Sequence, residues 1–253
     1  DFRRVQGAVD LQPADIIGIR IYDREKSTVT LQRGPIFTNF LMVDEMNRLT
    51  PKTQSALLEA MSERQATIDG ITYPLPDPYF AIATQNPQEI EGTFPLIEAQ
   101  RDRFMFSSVL DHLNSEDELE VLRREHAREL DWKVYRDQVA PILDPTGVEA
   151  MAAAIREVRI DETVLGYMRD LVLATRNHGD VRLGASSRAS IALLRGSAAR
   201  AALNRRTYVI PDDVRALAPS TLRHRLLLTR EAAITGVTAE AIIADIVESV
   251  GVS

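Results

Sequence analysis

Apolar and polar positions change rhythm along the chain. In roughly the first hundred residues the apolar stretches are short and broken by Gly and Pro. Ile16 to Leu31 reads as short strands with a turn around Asp23–Ser27. Phe40-Leu41-Met42-Val43 is an apolar run of the length expected for a buried parallel strand. Thr50-Pro51 then opens a helix, Thr as its cap and Pro at the first helical position, with Leu57, Leu58 and Met61 as the apolar stripe. Ala66 to Tyr73 is a hairpin in which Asp69-Gly70 supplies a type I′ turn between β-branched flanks. Tyr79 to Thr84 reads as a second buried strand, ended by Gln85-Asn86 and stopped at Pro87.

Beyond residue 110 the period becomes helical. Ser115 with Glu118 forms a capping box for a helix running to about Leu130. Further helices are expected near 146–157, 162–177, 187–204, 211–218 and 238–249. Residues 145–253 hold 19 alanines and residues 1–144 only 10, and Ala is the strongest helix former. The prediction is two lobes: an α/β lobe over 1–110 and an all-α lobe over 111–253, joined within 107–116.

Composition narrows the function classes. Of 253 residues, 45% are hydrophobic and 26% charged, which excludes a disordered or collagenous chain. No apolar run reaches the ~18 residues of a membrane helix. With no cysteine, disulfides, thiolate metal sites and a cysteine nucleophile are excluded. The 30 basic and 37 acidic residues give a net charge of −7, ill-suited to neutralising phosphates along a nucleic acid. Arg223-His224-Arg225 reads as a solvated face that leaves this balance unchanged. The histidines at 112, 126, 178 and 224 lack metal-ligand spacing and read as surface or helix-end residues. The sole tryptophan, Trp132, reads as a packing residue.

Four segments carry candidate chemistry. Asp44-Glu45 end a buried strand at its carboxyl end, where ligands bind in open α/β sheets. Nucleotide hydrolysis uses such a pair, Asp44 to hold Mg²⁺ through water and Glu45 to polarise the attacking water. Two acids also serve simply to let a strand exit to solvent. Asn86, after a neighbouring strand, could face the water or the terminal phosphate, or could form an ordinary Asn-Pro turn. Arg103 could reach a neighbouring subunit's nucleotide, or pair on the surface with Asp102 or Glu98. Arg188, at the start of a long helix, opposes the helix dipole and would be balanced by a phosphate there. An ordinary solvated arginine beside a serine cap is the other reading. The chain has no Gly-x-x-x-x-Gly-Lys-[Ser/Thr] loop. Asp1-Phe2-Arg3-Arg4-Val5-Gln6 reads like the middle of a domain, so the expectation is that the loop lies before Asp1.

In this order the segments resemble the MoxR family of AAA+ ATPases. The match is close along residues 5–106. It is carried by Val5-Gln6-Gly7, Leu11 through Gly18, Gly34-Pro35-Ile36-Phe37, Asp44-Glu45-Met46-Asn47-Arg48, Pro51 through Met61, Ala83 through Pro87 and Glu91 through Leu96. It is looser in the second lobe, centred on Gly184–Arg188 and Tyr208–Ala218. Ile97 and Arg101 depart from the family pattern, and Arg101 sets a second arginine close to Arg103.

The resemblance implies an AAA+ P-loop core, its N-terminal part absent, followed by an α-helical lid. It implies Asp44 and Glu45 as the Walker B pair, Asn86 as sensor 1, Arg103 as arginine finger and Arg188 as sensor 2. It also makes Leu11–Gly18 part of a helix-2 insert and 66–73 a pre-sensor 1 hairpin at a ring pore. ATP and Mg²⁺ are the implied cofactors. The implied partners are further copies in a hexameric ring and a client, such as a von Willebrand factor A domain protein, in the cytoplasm. No nucleic acid and no membrane insertion are expected, and residues 1–253 alone are expected to be inactive. Two other readings use the same residues: a motor on nucleic acid, against which the absence of Lys and Arg from 66–73 argues, and a non-hydrolysing scaffold.

Overall fold

The computed structural model describes residues 1–24, 27–88, 91–131, 133, 136 and 139–252. Trp132 therefore lies outside the described residues. Two hydrophobic cores organise the rest, one drawn from residues 5–96 and one from 164–246.

The first core lies under a parallel sheet in the order β1 (Phe2–Gln6), β4 (Phe40–Asp44), β7 (Phe80–Ala83). The register sets Gln6 opposite Asp44 and Val43 opposite Ala83. In β4, alternation sends Leu41 and Val43 into the core at 1% exposure each. Phe2, Phe40, Phe80 and Ile82 remain exposed. The second strand read as buried is thus only half buried: Phe80 and Ile82 lie on the same uncovered face as Phe2 and Phe40, while Ala81 and Ala83 pack against the core.

Helix α1 (Pro13–Ile17) leads into the antiparallel ribbon of β2 (Gly18–Asp23) and β3 (Thr28–Arg33). Helix α2 (Pro51–Glu63) starts as read: the Thr50 hydroxyl accepts the Thr53 N–H at 3.4 Å, and Leu57 and Leu58 are buried. Gln54, 1% exposed, donates its amide to the carbonyls of Leu49 (3.1 Å) and Phe94 (2.8 Å) and so ties α2 to the segment after Asp44. The hairpin of β5 (Gln65–Ile68) and β6 (Ile71–Pro74) turns at Asp69 and Gly70, φ 49° and 75°. Both left-handed residues are what a type I′ turn requires.

A short helix α3 (Glu98–Arg101) leads out of this lobe. Helix α4 (Ser115–His126) is capped by Asn114, whose Oδ1 accepts the N–H groups of Glu116 and Asp117, so Ser115 is its first residue rather than its cap. The second lobe is built from α5 (Pro145–Arg156), α6 (Glu162–Asn177), α7 (Ser187–Leu203), α8 (Pro211–Leu222), α9 (Arg230–Ile234) and α10 (Ala239–Ser249), with a small pairing of β8 (Val181–Leu183) and β9 (Leu227–Leu228). Tyr167, Leu171, Leu193, Val214, Leu222 and Ile242 fill its core. Helix α8 runs through Pro219 to Leu222, four residues beyond the predicted end. No helix among the described residues is long and apolar enough to cross a membrane.

Candidate active site

The site is built where β1, β4 and β7 end together. The Thr84 hydroxyl donates to Asp44 Oδ1 at 2.5 Å and accepts the Glu45 backbone N–H at 2.9 Å. Backbone bonds from Thr84 N to Val43 O and from Met46 N to Thr84 O, each 2.9 Å, carry the pairing past the strand ends. Glu45 sits in the left-handed region at φ 51°, ψ 51°. That conformation costs a non-glycine residue about 1–3 kcal/mol and survives where the surroundings impose it. Its effect is to turn the chain out of β4 immediately after Asp44, so that consecutive acids share one edge.

Residues of β1 hold both carboxylates. Arg4 pairs with Asp44 Oδ2. Gln6 donates its amide to Glu45 Oε2 at 2.8 Å, and Arg48 reaches the same oxygen at 3.1 Å. The Thr84 hydroxyl, and then Arg4, hold the Asp44 carboxyl below the ordinary carboxylate value, against burial that would raise it. Gly7 follows β1, its N–H donating to Asp44 O at 2.7 Å.

Asn86 lies two residues beyond Thr84, at the same edge. Its carbonyl accepts the Asn47 amide at 3.3 Å and its Oδ1 accepts the Gln88 N–H at 3.1 Å. The structure therefore brings Asp44, Glu45 and Thr84 together, and sets Asn86 two residues further on with its side-chain oxygen turned to its own loop. Thr84 is a member that the sequence reading passed over, although it stands in the segment that supplied Asn86. The signal for it was a hydroxyl at the first polar position after an apolar strand.

Arg103 and Arg188 belong to a second cluster, between the lobes. Among the described residues no hydrogen bond or ion pair joins either to Asp44, Glu45 or Asn86. Arg103 is exposed after α3, and among the described residues its side chain has no ion-pair partner. Neighbouring Arg101 is half-buried, with Glu98 at 3.9 Å and its Nε shut away from solvent without a partner. Of the two arginines in this segment, Arg103 is the one presented outward. The surface pair between Arg103 and Asp102 does not form, because Asp102 is engaged by the other lobe. It receives the Ser186 hydroxyl at 2.7 Å, Arg225 Nε at 2.9 Å and Arg188 at 3.5 Å.

One sequence expectation is overturned. The side chain of Arg225 is only 2% exposed and His224 packs against Phe104, so Arg223-His224-Arg225 is no solvated stretch. At the start of α7 the Ser186 hydroxyl accepts the Arg188 N–H at 3.1 Å, and the anion beside Arg188 is the Asp102 carboxylate.

Residues 1–106 match the model of the ATPase family associated with various cellular activities (AAA), and residues 173–246 match the AAA lid domain. The chain is similar to the uncharacterized protein YeaC of Bacillus subtilis, 43% identical over all of this chain and 77% of that protein. It is also similar to Chaperone MoxR1 of Mycobacterium tuberculosis, 38% identical over 98% of this chain and 67% of that one. A crystal structure of a Cytophaga hutchinsonii protein superposes with a TM-score of 0.90 at 41% identity, over 100% of this chain and 78% of that one. The fold and these matches define an AAA+ ATPase: a parallel α/β core followed by an all-α lid. Within that class the chain belongs to the MoxR family.

Proposed function

We propose that the protein hydrolyses ATP at the edge formed by Asp44, Glu45, Thr84 and Asn86, and couples turnover to remodelling of a client protein. The observation that carries this is the Thr84 hydroxyl bridging Asp44 and the Glu45 backbone, which fixes two adjacent acids in different roles.

The donor set suits Mg²⁺, which takes oxygen ligands and needs only one or two carboxylates beside phosphate and water. Thr84 and Arg4 hold the Asp44 carboxyl below the ordinary value, and its Oδ2 meets the exposed guanidinium of Arg4. Asp44 would hold the ion through water, and the ion would supply charge neutralisation at the phosphates. Among the described residues no group of three acids or histidines forms a dedicated metal cage, in keeping with an ion that arrives with its nucleotide.

The side chains divide the work as follows. Glu45, steadied by Gln6 and Arg48, accepts a hydrogen bond from the attacking water and draws off its proton. Asn86 turns its amide toward that water or the γ-phosphate. Arg103 reaches the nucleotide of a neighbouring subunit and stabilises the charge spreading over the transferring phosphoryl group. Arg188 senses the nucleotide from the lid. This places the working form in a ring, proposed to be hexameric and cytoplasmic, with residues 1–110 as core and 111–253 as lid. A von Willebrand factor A domain protein is the proposed client. The hairpin at 66–73, acidic at Asp69 and without Lys or Arg, favours a protein client over a nucleic acid.

Mixing experiments test the shared site. Full-length Glu45→Gln and Arg103→Ala proteins, each inactive, should regain turnover when combined, because mixed interfaces pair an intact Glu45 with an intact Arg103. An absence of regain, with full activity in dilute monomer, contradicts the shared site.

A further inference from the structure

Arg225 is the most completely engaged side chain between the lobes. Its Nε donates to Asp102 Oδ1 at 2.9 Å. Its NH2 donates to the carbonyls of Asp102 (3.2 Å) and Phe104 (2.6 Å), and its NH1 to Met105 O at 3.2 Å and to Thr221 O. That uses all five N–H donors of a guanidinium. The carbonyls of Asp102 and Phe104 flank Arg103. His224 on the same turn lies 3.1 Å from the Phe104 carbonyl, and Ser107 N–H bonds to Ser220 O at 2.8 Å. The backbone on both sides of Arg103 is therefore held by the lid of its own chain, while the Arg103 side chain is exposed and has no ion-pair partner among the described residues.

Asp102 is the second half of the clamp. Its side chain is 15% exposed and gathers Ser186, Arg188 and Arg225, all from the lid. The contacts differ in strength. Arg225 is buried and bonded at 2.9 Å, whereas Arg188 is 54% exposed and 3.5 Å away. Arg225 is the fixed member and Arg188 the member free to leave. Breaking the buried pair would strand a charge, which is far costlier than losing an exposed contact.

We propose that Asp102 and Arg225 are positioning residues through which the lid of one subunit sets the presentation of Arg103 to the ATP of its neighbour. The proposal rests on the reading of Arg103 as a residue acting in trans. It adds that the finger is mounted on the lid: a change of lid angle in one subunit moves the arginine offered to the next. Arg188, placed in the lid to sense nucleotide, shares the Asp102 carboxylate with this mounting. Nucleotide in one subunit thereby bears on hydrolysis in another without any contact between the two nucleotides.

The test uses the full-length protein in mixed assemblies. Asp102→Asn keeps the size of the side chain and removes its charge. Alone it should lower kcat for ATP by about tenfold or more while the KM for ATP changes little, as expected when a transition-state contact is lost and ground-state binding kept. Combined with excess Glu45→Gln, whose Arg103 is correctly mounted, the Asp102→Asn subunits should regain several-fold activity per subunit. A loss caused only by a weakened lid would stay with the subunit and would not be rescued in trans. Arg225→Gln repeats the test from the other side of the clamp, and if it does not fold, Asp102→Asn decides alone. The Arg103→Ala and Glu45→Gln mixture is the control. If the control regains activity and Asp102→Asn does not, the mounting role is overturned and the trans-acting arginine stands. If the control itself fails, both fall. Wild-type turnover by Asp102→Asn alone also overturns the proposal.

Discussion

A β-carbon on Gly7 would lie 2.1 Å from the carbonyl oxygen of Glu45, with the Asp44 carbonyl oxygen at 2.9 Å. Both neighbours are backbone and cannot swing aside. Gly7 thus lets β1 pass directly against the turn that places Glu45 in its left-handed conformation. Gly7→Ala should force these segments apart, destabilise the protein by about 1–3 kcal/mol, and lower ATP turnover more than ATP binding. Thermal melts and steady-state kinetics measure the two effects. Unchanged turnover would show that the spacing is not needed.

Thr84 makes a separate prediction. Thr84→Val preserves shape but removes the hydrogen bond to Asp44 and the acceptor for the Glu45 N–H. Hydrogen bonds to charged groups contribute about 1.5–3 kcal/mol, so turnover should fall roughly 10- to 100-fold. Thr84→Ser should retain most of it. Equal losses in the two variants would assign Thr84 to packing instead.

His224 provides a pH signature. Burial, followed by the neighbouring Arg225 charge, pushes it down to about 4 from an ordinary 6.5. The folded state keeps it neutral while the unfolded chain takes up a proton below about 6.5. Stability is therefore full above that pH and is lost as pH falls toward 4, by on the order of 3 kcal/mol. Chemical denaturation across this range should show the loss in the wild type and a smaller one in His224→Gln. Parallel pH profiles would contradict the assignment.

Asp213 is 2% exposed and bound by Arg206 through two bonds of 2.6 and 2.7 Å, with the Ile210 N–H as a third donor at 3.0 Å. Burial alone would raise its carboxyl, but Arg206 and the Ile210 N–H win and hold it below the ordinary value. Asp213→Ala leaves Arg206 unpaired and α8 uncapped. It should cost about 3–5 kcal/mol, visible as a lower melting temperature. A cost below about 1 kcal/mol would mean that the pair is not a structural anchor.

What the sequence revealed, and what it hid, follows from chain distance. The Thr50-Pro51 helix start, the Asp69-Gly70 turn and the strand ending in Asp44-Glu45 depend on neighbours in sequence, and local chemistry specified them. The grip of Arg4 on Asp44 crosses 40 positions and that of Arg225 on Asp102 crosses 123. Neither leaves a trace in local periodicity, so Arg223-His224-Arg225 looked solvated. Asn114 and Ser115 are adjacent cap formers, and only the backbone geometry chooses Asn114. The half-exposed β7 was hidden because an apolar run does not show whether both faces of its sheet are covered: Phe40 and Phe80 share an open face.

The most direct measurement is nucleotide turnover and retention by full-length Glu45→Gln protein. With Mg²⁺ and ATP, it should bind ATP with near wild-type affinity and release phosphate at less than about one hundredth of the wild-type rate, consistent with loss of the general base. Phosphate release at the wild-type rate would contradict the assignment of this strand edge as the site of hydrolysis.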